Sequence, residues 1–217
     1  ADPSVLPMVP ARGLLGSATL PMPVHRRTTG RRQEQLMSLR ANYDDIVKLS
    51  VIGEIASPRR AFSPYLVTHD GRAVTVPGSG GITYNVRVGD RAIGWACDHV
   101  EPGVTIRNKD ADENSALATL GCIGNEAHVV TGEGKGSVGT VTGKHGGAEH
   151  MMIDFPTDVL EKLTIGDRIQ VRAYGRGLAL LDAPDVKLLN MSVQLLQALP
   201  GEVSAGGVLE VPVAGIV

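Results

Sequence analysis

Two groups of side chains in this chain could do chemistry, and the first lies at 98–101. Asp98, His99 and Glu101 stand within four positions of one another, close to Trp95, the chain's single tryptophan. If the segment is extended, His99 and Glu101 share one face because side chains alternate along a strand. An imidazole beside a carboxylate can act as an acid–base pair or as two metal ligands. The alternative is a polar turn in which Asp98 bonds its own backbone.

The second group is the segment GKHGGAEH at 143–150. His145 precedes two glycines and should lie on a turn that a ligand can approach closely, so we expect it to be a general acid or base. Lys144 could neutralise an anionic ligand, although a solvated lysine beside a hairpin is the commoner arrangement. The spacing from His145 to His150 matches no zinc pattern such as HExxH, so the identity of any metal or other cofactor stays unknown.

A glycine-rich loop, PGSGG at 77–81, could bind an anionic or oxyanion group through its backbone amides. Gly80 and Gly81 are the expected donors, and Tyr84 with Asn85 would orient the ligand. The loop lacks the lysine and the following helix of a P-loop, so a tight structural turn is the alternative. The chain has no GxSxG elbow and no GxGxxG between a strand and a helix, which argues against hydride transfer and P-loop phosphoryl transfer.

The elements that must position these residues are expected to be mostly strands. Runs rich in β-branched residues alternate with turn residues, and the Asp-Gly at 70–71 is a strong hairpin signal. The patterns predict strands at 49–55, 65–68, 72–76, 82–88, 92–96, 127–130, 136–142, 151–155 and 168–174. They predict helices at 36–47, 110–120, 158–163 and 192–199. This order favours a mainly β, Gly-rich sandwich or barrel-like domain with a few short helices.

Composition limits the classes of partner. The net charge is −2, which argues against nucleic acid and anionic membranes as partners. No apolar run is long enough to cross a bilayer, and the N-terminal residues lack a secretory pattern, so we expect a cytoplasmic protein. Cys97 and Cys122 lie in apolar surroundings and lack CxxC spacing, which favours two reduced, buried thiols, with a bridge between them as the alternative. The expected partners are a small-molecule ligand and further copies of the chain in a homo-oligomer.

The chain divides into three segments by composition. Residues 1–34 mix prolines with arginines and predict an extended or disordered arm, and 35–200 should form the main β-rich domain. Residues 201–217 are strand-like, and an unpaired apolar strand edge invites pairing with another chain. We therefore expect this end to pair with a C-terminal fragment of the same precursor, released by proteolysis or autoproteolysis. The alternative is a chain cut at an arbitrary place.

The sequence resembles the family called domain of unknown function 4438, from about residue 48 to 199. The resemblance rests on GSGGITYNVRVGD (78–90), DHVEPG (98–103), GNE (124–126), GKHGG (143–147) and DFP (154–156). It implies a mainly β fold and a further lobe beyond the present end, and it implies no established reaction. A weaker similarity, over 129–154, is to KOW segments of small RNA-binding barrels, against which the charge balance and the scarcity of aromatics argue.

Together these features favour an enzyme, a hydrolase or lyase acting on a small polar or anionic metabolite. His145, His99, Glu101 and Asp98 would be the catalytic residues, and His99, Glu101, Tyr84 and His145 should line one cleft. A non-catalytic ligand-binding or assembly protein is the alternative, and a KOW-like RNA-binding barrel is the third.

Overall fold

The structure is a computed structural model that describes residues 39–59, 65–75, 80–91, 93–97, 99–145 and 149–212. The segment 1–34, Asp98 and the last residues, 213–217, lie outside the described residues, so the expectations placed on them stay predictions. The prediction of a mainly β fold with a few short helices is confirmed. The strands are β1 (Lys48–Ile55), β2 (Leu66–Val67), β3 (Ala73–Val74), β4 (Ile82–Thr83), β5 (Gly103–Arg107), β6 (Glu126–Val129), β7 (Val138–His145), β8 (His150–Asp154), β9 (Arg168–Tyr174), β10 (Glu202–Val203) and β11 (Leu209–Glu210). The helices are α1 (Ala111–Leu120), α2 (Thr157–Leu160) and α3 (Val193–Ala198).

Six of these strands close into an antiparallel barrel. The order is β1-β9-β6-β7-β8-β5, and β5 pairs back onto β1 through Arg107 and Ile106. The short strand β4 pairs with the start of β5, which β1 leaves unpaired, through Ile82 and Val104. Closure removes the open edges along which a flat sheet would associate with other chains.

The barrel forms because its strands alternate apolar and polar residues. On β9, Ile169, Val171 and Ala173 are buried while the residues between them are more exposed. The pattern has the two-residue period that separates the faces of a strand. The inward residues of all six strands form one core with side chains from α1, α2 and their flanking loops: Val51, Ile55, Val104, Ile106, Leu117, Ala127, Val129, Val141, Met151, Ile153, Phe155, Leu160, Leu163, Ile169, Val171 and Ala173.

The predicted helix at 36–47 is wrong over its described part. Only Tyr43–Asp45 form a 3-10 turn, and Ala41 instead makes an isolated bridge to Leu180. The Asn42 side chain accepts from the Ala179 amide at 2.8 Å and donates to a second backbone group of that segment. An asparagine that bonds backbone elsewhere competes with helix formation. Leu39 is nevertheless buried, in a second apolar cluster against 178–196.

Two strand predictions fail in the loop ahead of β5. The strand expected at 82–88 ends at Thr83, and the described residues of 92–96 contain bends and no strand. Asp90 accepts from the Arg87 amide at 2.8 Å, and Trp95 donates to the Arg91 carbonyl at 2.8 Å, so local turns replace the ladder. The strand β5 alternates apolar Val104 and Ile106 with polar Thr105 and Arg107 but is only five residues long, and it is not among the predicted strands.

Helices remain short and peripheral. Helix α1 begins as predicted, because the Asp110 carboxylate accepts from the amides of Asp112 and Glu113. Ser192 caps α3 in the same way through the Leu195 amide. Among the described residues, no helix is long and apolar enough to span a bilayer. Neither Cys97 nor Cys122 is in a disulfide, and Cys122 is buried whereas Cys97 is only partly buried.

The C-terminal residues form a small hairpin in which Glu202 pairs with Glu210 and Val203 with Leu209. One side of β11 is thus taken by β10 of the same chain. Pairing of 209–217 with a separate fragment stays a prediction.

Candidate functional site

The candidate site lies on the wall formed by β5, β7 and β8. On β5, Val104 and Ile106 face the core, so Thr105 between them faces the opposite side of the sheet. Thr105 is nevertheless fully buried. Its register partner on β8 is Met152, so His150, two residues earlier, lies on that same outer side.

A β-bulge brings His145 to this side. Val141 pairs with Ile153 and faces the core, but the register shifts before Gly143, which pairs with Met152. The extra residue reverses the alternation, so that His145 pairs with His150 and shares its face. Without the shift, a two-residue period from Val141 would direct His145 to the core.

Glu101 supplies the centre of the cluster from the segment before β5. Gly103 has φ +77° there, and an added Cβ would lie 2.3 Å from the Ile153 carbonyl oxygen. Only glycine fits this backbone conformation and this close approach. In a straight strand, residues four apart are separated by roughly 13 Å, so the turn at Gly103 is what lets the Glu101 carboxylate reach the Thr105 hydroxyl at 2.5 Å.

Three imidazoles surround the Glu101 carboxylate. His99 Nε2 lies 3.3 Å and His145 Nδ1 lies 3.5 Å from Oε1, whereas His150 Nδ1 lies 3.4 Å from Oε2. The rings of His99 and His145 are 4.6 Å apart between centroids. His99 and Glu101 therefore meet as the alternation in the sequence predicted.

Burial divides the cluster into an inner and an outer part. The side chains of Glu101 and His150 are 0% and 2% exposed, while those of His99 and His145 are 40% and 35% exposed. A ligand arriving from solvent would therefore meet His99 and His145 first.

Electrostatics keep the Glu101 carboxyl ionised. Burial acts to raise its pKa, but the contacts with His150 and Thr105, the charge of His150 and the contact with His99 outweigh it and lower the pKa to about 2. A carboxylate held this way is a stable anionic centre for a cation or an imidazolium.

Two ring nitrogens of the cluster lack a hydrogen bond. The Nδ1 atoms of His145 and His150 are buried, and neither has a hydrogen-bond partner among the described residues. Buried polar atoms are normally paired, so orphaned ones point to a missing group. His99, Glu101 and His145 could hold a metal ion, because one potential ligand atom of each lies within 4.8 Å of the others.

The glycine loop contributes backbone close to the cluster. An added Cβ at Gly80 would lie 3.4 Å from Cε1 of His150, and one at Gly81 would lie 2.7 Å from the Pro58 ring. Both glycines have positive φ angles of +98° and +84°. Their predicted role as anion donors stays a prediction.

Helix α1 anchors the residue before His150. Glu149 has φ +53°, which a non-glycine residue seldom adopts. The buried side-chain amide of Asn114 donates through Nδ2 to the Glu149 carbonyl at 3.3 Å. Its Oδ1 accepts from the backbone N–H of Asn108 at 2.7 Å. Asn114 thus fixes the backbone that presents His150.

Other predicted site residues lie elsewhere. Lys144 faces the opposite side of β7 from His145 and donates to the Ala118 carbonyl at 2.6 Å, at the end of α1. Burial, with the nearby Arg176 charge, lowers the Lys144 pKa. Tyr84 and Asn85 are exposed, and no hydrogen bond found among the described residues joins them to the cluster. Their ligand-binding roles stay predictions.

His150 and Thr105 were not among the predicted site residues. The hairpin signal around 146–147 could have indicated that His145 and His150 face each other, because two strands joined by a tight turn place their end residues opposite. Thr105 gave no local signal, since its role depends on the fold of the chain at Gly103.

The fold and the site define a small closed antiparallel barrel that carries a three-histidine, one-carboxylate cluster on its outer wall. The chain belongs to the family described as domain of unknown function (DUF4438), N-terminal, which matches residues 65–197. It is similar to the protein in a solved structure titled "Crystal structure of TM1086", with 49% identity and a TM-score of 0.76. The match covers 81% of this chain and 62% of the other, so the chain spans less than two thirds of that protein. A comparison with curated proteins finds no match.

Proposed function

We propose that the protein is an enzyme, a hydrolase or lyase that acts on a small polar or anionic metabolite at the histidine cluster. The observation that carries the proposal is the convergence of three imidazoles, from two separate segments, on one fully buried carboxylate. Strongly shifted carboxyl groups with ionisable partners concentrate at functional sites. The family and the relative give no reaction, so the proposal depends on the geometry alone.

His99 and His145 would carry the proton transfers. Both are partly exposed and lie within 3.5 Å of Glu101, whose carboxylate would orient the rings and stabilise whichever imidazolium forms. His145 would act as the base and His99 as the acid. Hydrolysis needs a base for water and an acid for the leaving group, and elimination needs a base for a C–H proton and the same acid, so this pair suits both reaction classes.

His150 and Thr105 would act through Glu101. They contact the same carboxylate oxygen, Oε2, at 3.4 Å and 2.5 Å. Both lie behind the carboxylate and away from solvent, which makes them positioning residues.

A turnover screen across substrate classes tests the proposal. Carboxylic esters, lactones, phosphomonoesters and amides probe hydrolysis, and β-substituted carboxylates probe elimination. We expect His145→Ala and His99→Ala each to lower the turnover of any accepted class by about 10²- to 10⁴-fold, the usual worth of a general acid or base. Circular dichroism and thermal melting report whether each variant stays folded.

His128→Ala is the matched control. His128 also lies two residues from a glutamate and contacts it, with Nε2 at 3.4 Å from Glu126 Oε2, but this pair is on β6. Turnover in this variant should equal that of the wild type. If both His145→Ala and His99→Ala turned over substrate at the wild-type rate, the histidine cluster would not be the active site. A folded protein that turns over no class, but loses ligand-induced stabilisation in His145→Ala, would be a non-catalytic binding protein.

A further inference from the structure

We propose that the cluster binds one divalent transition-metal ion, with His99 Nε2, Glu101 Oε1 and His145 Nδ1 as its ligands. These three residues come from two places in the sequence, and one potential ligand atom of each lies within 4.8 Å of the others. Metal binding follows from the donor geometry. With an ion bound, the ligated imidazoles could no longer take up a proton, so the ion would replace His99 and His145 as the group that activates water, and that step rests on the proposed function.

The separations between the donor atoms suit a shared ion. His99 Nε2 and His145 Nδ1 lie 3.3 Å and 3.5 Å from Glu101 Oε1. Nitrogen and oxygen ligands about 2.0–2.2 Å from one ion are roughly 3.0–3.5 Å from each other, depending on the coordination geometry. The ligand atoms of His99 and His145 lie within 4.8 Å of each other, so a modest rotation of the two imidazoles would bring all three donors within reach of one ion.

The unpaired nitrogen of His145 is the second observation. Its Nδ1 is buried, faces Glu101 and has no hydrogen-bond partner among the described residues. An ion between this nitrogen and Oε1 would satisfy both atoms at once.

The two oxygens of Glu101 have different neighbours. Oε1 faces His99 and His145, while Oε2 accepts from Thr105 and faces the buried His150. This division assigns Oε1 to the ion and Oε2 to the supporting groups, so the carboxylate should bind through one oxygen. Groups that hold a ligand from behind in this way usually change metal affinity about 10- to 100-fold when removed.

The donor set selects the class of ion. Two imidazoles and one carboxylate suit Zn²⁺, Fe²⁺, Mn²⁺ or Co²⁺, whereas Mg²⁺ and Ca²⁺ prefer oxygen ligands alone. Three protein ligands also leave a coordination position for water, as in catalytic zinc sites.

Binding to the chelator-stripped full chain tests the inference. Equilibrium dialysis with elemental analysis, and titration calorimetry with Zn²⁺, Co²⁺ and Mn²⁺ in turn, should give one ion per wild-type chain. His99→Ala and His145→Ala should each weaken binding more than about 100-fold, and Thr105→Val about 10- to 100-fold. The His128→Ala control should bind as the wild type does. Co²⁺ absorption in the visible range should appear in the wild type and disappear in His145→Ala.

Three outcomes overturn the inference: no ion bound by the folded wild type, more or fewer than one ion per chain, or equal affinity in the wild type and the two histidine variants. Thermal melting identifies variants that do not fold, and His99→Ala, outside the strands, keeps the test usable if His145→Ala unfolds. One bound ion without turnover of any substrate class would refute the proposed function and leave the metal site standing. Turnover by a folded wild-type chain that binds no ion would refute the metal site and leave the proposed function standing.

Discussion

His145 and His150 are register partners at the last pair of the β7–β8 hairpin, with ring centroids 6.4 Å apart, and both Nδ1 atoms face the Glu101 carboxylate. Direct cross-strand partners share a face of the sheet and have the closest side chains on it. One hairpin therefore delivers two of the three imidazoles, and the segment before β5 delivers the third together with the carboxylate.

The buried member of this pair should matter for stability. His150→Ala removes a contact to an ionised group and opens space beside a buried carboxylate, so the free energy of unfolding should fall by about 2–3 kcal/mol. Urea unfolding followed by circular dichroism measures the change. His128→Ala, which alters a more exposed pair, should change the free energy by less than about 1 kcal/mol. Equal effects in the two variants would show that the His150 contact adds no more stability than the exposed His128–Glu126 pair.

Acid should destabilise the protein through Glu101. Its folded pKa of about 2 lies below the ordinary value of 4.5, so between these values the unfolded state binds more protons than the folded state. The contribution of the ionised Glu101 to the free energy of unfolding is therefore complete above about pH 4.5 and is lost as the pH falls toward 2. Urea unfolding between pH 2 and 6 should show a steeper loss in the wild type than in Glu101→Gln. If the free energy of unfolding fell equally with pH in the two proteins, the low pKa of Glu101 would be contradicted.

Gly103 should tolerate no side chain. Gly103→Ala places a Cβ 2.3 Å from the Ile153 carbonyl oxygen at φ +77°, and strain with overpacking should cost about 2–4 kcal/mol. Gly166→Ala is the control, since Gly166 has φ +94° but open space around its Cα. That variant should lose only about 1–2 kcal/mol, the cost of the left-handed backbone. A Gly103→Ala protein as stable as the control would mean that the turn can relax.

Glu149 should accept glycine. Its φ of +53° costs free energy for any residue with a Cβ, and Glu149→Gly relieves that cost. The loss of the side-chain contact to Asn114 offsets part of the gain, so we expect stability within about 1 kcal/mol of the wild type. Asp112→Gly, in helix α1, should instead lose about 1 kcal/mol. Chemical denaturation compares the two, and a larger loss for Glu149→Gly than for Asp112→Gly would contradict the interpretation.

Lys144 should act on the helix and not on the cluster. Lys144→Ala removes a donor to the Ala118 carbonyl at the C-terminal end of α1, which should lower the free energy of unfolding by about 1 kcal/mol. Metal affinity and turnover should stay at wild-type values because the side chain faces away from His145. A selective loss of ligand binding with unchanged stability would restore its predicted role in anion binding.

The fold was predictable where the signal is local. The alternation on β9 and the caps at Asp110 and Ser192 each depend on a few neighbouring residues, and each is present in the structure. The helix expected at 36–47 shows the opposite case, since Asn42 bonds to backbone at Gly177 and Ala179. Contacts more than a hundred residues away in the sequence override a local helical spacing there.

The sequence by itself determined which side chains are available and that His99 and Glu101 share a face if their segment is extended. It also placed His145 beside a turn, because two glycines follow it. Only the tertiary structure decided that these residues meet. That outcome requires the β5–β8 pairing, the register shift before Gly143 and the turn at Gly103. The physical reason is that strand pairing is nonlocal: a one-residue shift exchanges the two faces of a strand, and no short pattern in the sequence specifies it.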